Sequence, residues 1–245
     1  MLHFFRKIRR DLLANSKFFK YLKYAIGEIV LVVLGILIAL YINNQNEKSK
    51  NSELFDQILV EVETELIHNI DLTKGSIDYL HSFDSAYSLV LFDKLSPENF
   101  ENDTLFSFRN LPWVTNDIQK ESFEKLNTID GGINAKQDSL YASLKYLYVS
   151  DRFKYGQELE KYSLDLHLKI LESREEFSWY VNTLLGQPYT QDEISYYIDN
   201  PLYRNHIATV SKLTLSQFKV HLTAWEQILL SNYKRVYDYL EEENV

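Results

Sequence analysis

The sequence predicts an all-α protein, with one N-terminal transmembrane helix followed by an extracytoplasmic antiparallel helical bundle. Three observations predict it. Seven Gly and four Pro in 245 residues are too few for the tight turns of a sandwich or barrel, since ordinary shares are about 7% and 5%. Residues 24–42 form a nearly uninterrupted apolar run. The remainder alternates long apolar stripes at three-four spacing with capping signals. At 45% apolar and 25% charged the chain is no disordered tail, and its length suits one ordinary domain plus an appendage. Without Cys it has no disulfide framework, thiolate nucleophile, zinc-thiolate cluster or iron–sulfur site.

The first element is a basic head, residues 1–23. Residues 1–25 hold seven basic side chains (Arg6, Lys7, Arg9, Arg10, Lys17, Lys20, Lys23) and one acid, Asp11, a net of +6. Of the 26 basic and 35 acidic residues in the chain, 19 and 34 remain beyond it, a net of −15. So acidic a surface repels phosphate, which excludes nucleic acid as a partner over most of the length. Leu2, Phe5, Ile8 and Leu12 recur at helical spacing among the cations. The pattern fits an interfacial helix on anionic lipid, and equally a topogenic tail without order of its own.

The second element, residues 24–42, reads Y-A-I-G-E-I-V-L-V-V-L-G-I-L-I-A-L-Y-I with a single charge, Glu28. At about 1.5 Å per residue it reaches roughly 28 Å, the thickness of a hydrocarbon core. Tyr24 and Tyr41 stand where aromatic rings prefer the headgroup level. The preceding positive charges keep the N-terminus in the cytoplasm and send residues 43 onward across the membrane, so the large domain is expected outside the cytoplasm. A cleaved signal peptide fits less well, because the run is long and its exit, A-L-Y-I-N-N-Q, lacks an A-x-A pattern. Gly35 and Ala39, with Gly27 two turns earlier, make a small-residue surface on which two spans can approach. Glu28, one turn inside the boundary, can reach headgroups or Lys23.

A helical juxtamembrane connector, 43–53, leads into the bundle, 54–245. Leu54, Ile58, Val62, Leu66 and Ile70 predict one helical face; V-E-V-E-T-E at 60–65 alternates like a strand, but its neighbours keep the helical period. Gly75 is expected to break or bend that helix before Ile77, Leu80, Tyr87 and Leu91 continue the stripe. Ser96-Pro97-Glu98 reads as a helix start with serine as N-cap, Leu111-Pro112-Trp113 as a breaker, Asn116 as the cap of a helix through Phe123 to Leu126, and Gly131-Gly132 as a turn. A third section runs from Lys136 to Leu185 through Leu140, Leu144, Leu147, Tyr162, Leu166, Ile170, Val181 and Leu184, with Gly156 a possible bend. Thr190-x-x-Glu193 is a capping box, and Asn200-Pro201 opens a last helix carrying Ile207, Val210, Phe218, Leu222, Trp225, Leu229, Val236 and Leu240. Three or four such helices predict an antiparallel bundle.

The string from Lys20 to Glu47, K-Y-L-K-Y-A-I-G-E-I-V-L-V-V-L-G-I-L-I-A-L-Y-I-N-N-Q-N-E, resembles the opening signature of a family of single-pass Bacteroidota proteins, domain-of-unknown-function family 6090. Gly27, Glu28, Gly35, Asn43 and Asn44 carry the likeness, and K-E-S-F-E-K-L (120–126) and N-P-L-Y-R-N-H (200–206) are similar to its weaker internal motifs. The resemblance implies a plasma-membrane protein with a periplasmic helical domain and carries over no activity or catalytic residue. Gln45 stands where the family usually has tryptophan.

Chemistry is sparsely signalled. Glu61, Glu65 and His68 share one helix, and Glu65-x-x-His68 matches half a di-iron motif, but no second copy exists; Glu61 and Glu65 should sit at the rim of the apolar stripe, beside solvent. His206 and His221 are too far apart along one helix to share a metal. No catalytic residue, cofactor or metal site is therefore predicted, and the chain is not expected to be an enzyme. Eighteen Tyr and fourteen Phe suit helix interfaces with wet hydroxyls. The densest group, Trp179, Tyr189, Tyr196 and Tyr197, is the candidate recognition surface. The leading expectation is a membrane-anchored interaction or scaffold module whose partners are the lipid bilayer and another protein or a second copy. The alternative is a ligand-sensing four-helix-type domain acting through a partner membrane protein, with its small molecule unidentified.

Overall fold

The computed structural model describes residues 18–103, 107–115 and 118–243. Every regular element among them is helical. Arg6, Lys7, Arg9, Arg10 and Lys17, the interfacial pattern of the head, and the Asn116 cap lie outside the described residues.

The first helix, α1 (Phe18–Ser82), begins near the basic head and is long and apolar enough to cross a membrane. From Ile26 to Ile42 its large apolar side chains are 47 to 74% exposed, so no protein covers them. Gly27, Gly35 and Ala39 are exposed as well, and nothing lies within 4 Å of a Cβ built on either glycine. The connector 43–53 is helical throughout. It forms one compact unit with the preceding residues and the turn 129–134. In that turn Gly131 and Gly132 have φ of 72° and 79°, the left-handed region. The Asn51 side-chain amide donates to the Gly131 carbonyl at 3.1 Å, and a Cβ on Gly132 would stand 3.1 Å from the Lys48 Cα.

The second unit comprises 55–128 and 135–245. Within it α1 continues through Gly75 without a break, because that glycine is exposed and helical and has nothing within 4 Å. The helix stops at Ser82, and α2 (Asp84–Leu91) follows the buried Phe83. The two glycines make opposite expectations. Gly132→Ala should destabilise by about 1 to 2 kcal/mol from backbone conformation alone, whereas Gly75→Ala should stabilise by roughly 0.5 to 1 kcal/mol by removing a flexible residue from a helix. Thermal melts of both variants check the order, and a stabilising Gly132→Ala would overturn it.

Helix α3 (Glu98–Glu101) is a single turn. Ser96 does not cap it; instead the Asn99 side chain accepts from the Ser96 N–H at 2.8 Å. Next comes α4 (Glu121–Leu126), placed by α1: Glu65 accepts from the Ser122 N–H at 2.7 Å, and Asn69 exchanges two hydrogen bonds with the Gln119 backbone at 2.8 and 2.9 Å. A carboxylate at the first turn complements the unpaired N–H groups there.

The long third section is cut elsewhere than at Gly156. It divides at Ser150, whose hydroxyl caps α6 (Asp151–Glu172) by accepting from the Phe153 N–H, after α5 (Ala135–Val149). Gly156 is a buried residue inside α6. Turns after Ser173 lead to α7 (Tyr180–Leu184), where Val181 and Leu184, expected inside, are 56 and 69% exposed. Tyr162 is likewise outward. The predicted caps at Thr190 and Asn200 open α8 (Gln191–Asp199) and α9 (Pro201–Val210). The last stretch then passes through a π-helical segment, Ser211–Phe218, into α10 (Lys219–Glu243). The wider turns let both Thr214 and Leu215 face the core where α9, α6 and α10 meet the segment. Leu222 and Trp225 are buried as the stripe predicts.

Candidate functional site

The part of the second unit that the stripes do not explain is the stretch 107–115, which has no regular structure yet is buried at Phe108, Arg109, Leu111 and Val114. Backbone carbonyls taken from water need partners, and side chains from three helical regions supply them. The Tyr203 hydroxyl donates to the Phe108 carbonyl at 3.1 Å, Arg174 Nη1 to the Arg109 carbonyl at 2.7 Å, and the Tyr87 hydroxyl to the Asn110 carbonyl at 3.0 Å.

Arg109 turns its side chain into the same core. Its Nε and Nη2 donate to the two oxygens of Glu193, both at 2.6 Å, and its Nη1 to the Gln187 carbonyl at 2.5 Å. The side chains of the pair are 3% and 0% exposed. Burial works against the Arg109 charge, but the hydrogen bonds and charge of Glu193 outweigh it and hold the guanidinium above its ordinary pKa. Thr183 and Tyr197 also donate to Glu193, at 3.0 and 3.2 Å. Glu193 thus makes only half of the predicted capping box. Thr190 accepts from the Glu193 N–H at 3.3 Å, while the carboxylate serves Arg109 instead of the helix end.

Arg174, in the turn after α6, is fully buried. Its guanidinium lies 5.6 Å from the Tyr197 ring and 5.8 Å from that of Tyr203. Beyond the bond to the Arg109 carbonyl, its guanidinium meets the Tyr196 hydroxyl. The Tyr196 hydroxyl and the Nδ1 atoms of His167 and His206 are buried too, the two imidazole atoms without partners. The field of Arg174 reaches all three groups.

Burial first, and the Arg174 charge second, lower the pKa of His167 and His206; a backbone bond to Leu111 opposes this at His167. His221 is lowered by burial and by Arg152. With folded pKa values below the free value of about 6.5, the folded chain binds fewer protons than the unfolded one, so stability present above that pH is lost as pH falls through the window beneath it. The melting temperature should decline between about pH 7 and pH 5. His167→Gln with His206→Gln should flatten the decline; an equal slope in that variant would count against this origin.

The four rings expected on a recognition surface lie mostly inside. Trp179, Tyr196 and Tyr197 are 5, 7 and 1% exposed, and Tyr189 is half-buried, its hydroxyl donating to Asp103 at 2.7 Å. Trp179 packs against Tyr196 and Tyr197 at ring distances of 5.1 and 5.8 Å, and Tyr197 against Tyr203 at 4.7 Å. Tyr197 gives its hydroxyl to the buried Glu193 and its ring face to Arg174, and Trp179 and Tyr196 pack around it, which makes these rings core. What remains accessible is the edge of Trp179 and Tyr196, in a shallow cleft with Phe177, Asp192, Asp199 and Pro201.

The Glu61, Glu65 and His68 cluster lines another depression with Glu121 and Ser122. Glu61 and His68 are exposed, and Glu61 pairs with Lys125. Glu65 departs from the rim position expected of it. It is 6% exposed, because the 119–122 segment covers it, and it accepts from Ser122 and Tyr148. No set of three or more His, Asp or Glu groups able to hold a metal ion occurs among the described residues. Neither Arg109 nor Arg174 carries a local sequence signal; a buried arginine becomes visible only with its distant partners in place. Compared with family models, curated proteins and solved structures, the chain matches none.

Proposed function

We propose that this chain is a membrane-anchored interaction or scaffold module. It belongs to the Bacteroidota family that residues 20–47 resemble, spans the inner membrane once, keeps its basic head in the cytoplasm and holds an antiparallel helical bundle in the periplasm. One observation carries the reading: an apolar helical stretch, exposed along its length, separates a head of net +6 from a remainder, residues 43–245, of net −14. Such asymmetry sets orientation, and an acidic helical domain on a tether suits protein recognition more than contact with nucleic acid. Gly27, Gly35 and Ala39 are exposed in that stretch, which fits pairing of two spans.

A reporter active only outside the cytoplasm, fused after Val245, should be active, and its inactivity would overturn the topology. Replacing Arg6, Lys7, Arg9 and Arg10 together by Glu should give mixed orientation, because the bias that sets it is gone. Affinity purification from native membranes with mass spectrometry should recover a stable partner.

A further inference from the structure

We infer that the cleft between the start of α6 and the π-helical segment leading into α10 binds a small carboxylate with an apolar body, its head received by Arg152 and His221. The cleft has a volume of about 580 Å³ and lies wholly within the second unit.

The polar side chains of this cleft have nothing in the protein to bond. Arg152 comes from the first turn of α6, Ser216 and Gln217 from the π-helical segment, and His221 from the first turn of α10. Among the described residues, no hydrogen bond or ion pair engages any of the four. Arg152, Ser216 and Gln217 are exposed, but His221 is only 8% exposed, and a polar group so buried ordinarily has a partner. Three rings fix its imidazole: Tyr155 meets it edge-on at 5.5 Å, and Phe218 and Trp225 are stacked with it at 6.5 and 6.3 Å. Whereas the Nδ1 atoms of His167 and His206 are sealed in the core, neither nitrogen of His221 is. The imidazole is thus a packed, pre-oriented group whose open side is the cleft. The π-helical turns beside it are a rare backbone form, concentrated at functional sites.

The lining sets the ligand class. Arg152 is the sole full charge among the residues that line the cleft, and its planar fork matches a carboxylate. Burial and the Arg152 charge lower the pKa of His221, so at neutral pH the imidazole is uncharged and offers a single N–H beside the cation. One positive charge answers a monoanion. A dianion would bring unanswered charge to a domain that is already acidic, residues 43–245 having a net of −14. Tyr155, Val220 and Ala224 add apolar walls, and the volume falls in the range of small-ligand pockets, roughly 300 to 1,000 Å³, with room for more than a bare carboxylate.

The test uses the full-length protein in detergent micelles, with sodium benzoate as probe and sodium chloride at equal ionic strength as reference. Benzamide keeps the ring without the charge, and inorganic phosphate keeps the charge without the ring. Benzoate should shift the His221 imidazole NMR signal, identified by its loss in His221→Gln, and raise the melting temperature, both along one saturating curve. Benzamide and phosphate should bind about tenfold or more weakly than benzoate. Arg152 and Val220 are exposed, so their replacement should leave the fold intact. Arg152→Gln removes the cation and Val220→Asp sets a like charge on the apolar wall, and each should weaken the apparent Kd about tenfold or more. A response to benzamide, phosphate or chloride equal to that to benzoate, no saturation, or a Kd unchanged in either variant would overturn the site. Binding is read on purified protein whatever its orientation or partner, so its failure leaves the scaffold reading standing, and a failed reporter fusion leaves the site standing.

Discussion

Replacing Arg109 by Met should lower the unfolding free energy by about 3 to 5 kcal/mol, among the larger effects a single change can have. The cause is the charge left behind. Glu193 is 0% exposed at its side chain, and with Arg109 gone Thr183 and Tyr197 would remain as its side-chain donors, both neutral. The loss of the Gln187 carbonyl's donor adds to it. Removing both charges, as Arg109→Met with Glu193→Leu, should cost far less than the single change, because a buried ion pair replaced by apolar groups is often close to neutral. Denaturant unfolding followed by helical circular dichroism measures all three proteins. A single variant within about 1 kcal/mol of the parent would show that water reaches Glu193.

Trp225→Ala should cost about 3 to 5 kcal/mol for a different reason, the cavity left by the largest side chain of the core. Trp225 is 1% exposed and packs against Phe153 and His221 at ring distances of 5.6 and 6.3 Å. Its indole N–H has no partner, so the loss is one of packing alone. Tyr162→Ala is the matched control. Tyr162 is 66% exposed, and its replacement should stay within about 0.5 kcal/mol. Comparable losses in the two variants would mean that burial does not decide them.

Trp225 lies on a helix that is legible in the sequence and Arg109 in a stretch without regular structure, and only the burial of the first is legible. The stripe Leu222, Trp225, Leu229 and Val236 announces its own burial, since a helical period brings those side chains to one side whatever they meet. Nothing near Arg109 announces Glu193, 84 residues away. Thr190 and Glu193 have the spacing of a capping box, and the local reading is right for the threonine and wrong for the glutamate. The hydroxyl has a donor within reach on its own helix, but the carboxylate finds a stronger one on a distant segment.

Local residue patterns were enough for the helical class, the apolar stretch and its charged flank, the caps at Thr190 and Asn200, and the inward faces of α1 and α10. These depend on residues within about two turns of each other, where spacing alone sets the geometry. Tertiary structure alone decided that α1 runs through Gly75, that Glu65 is covered by the 119–122 segment, that a π-helical segment interrupts the last stripe, and that Trp179, Tyr196 and Tyr197 face inward. It also decided that Arg109 is paired with Glu193. The physical reason is that burial of a polar group is settled by which distant segment covers it and which donor or acceptor that segment brings, and neither is written in the period of the helix that carries the group.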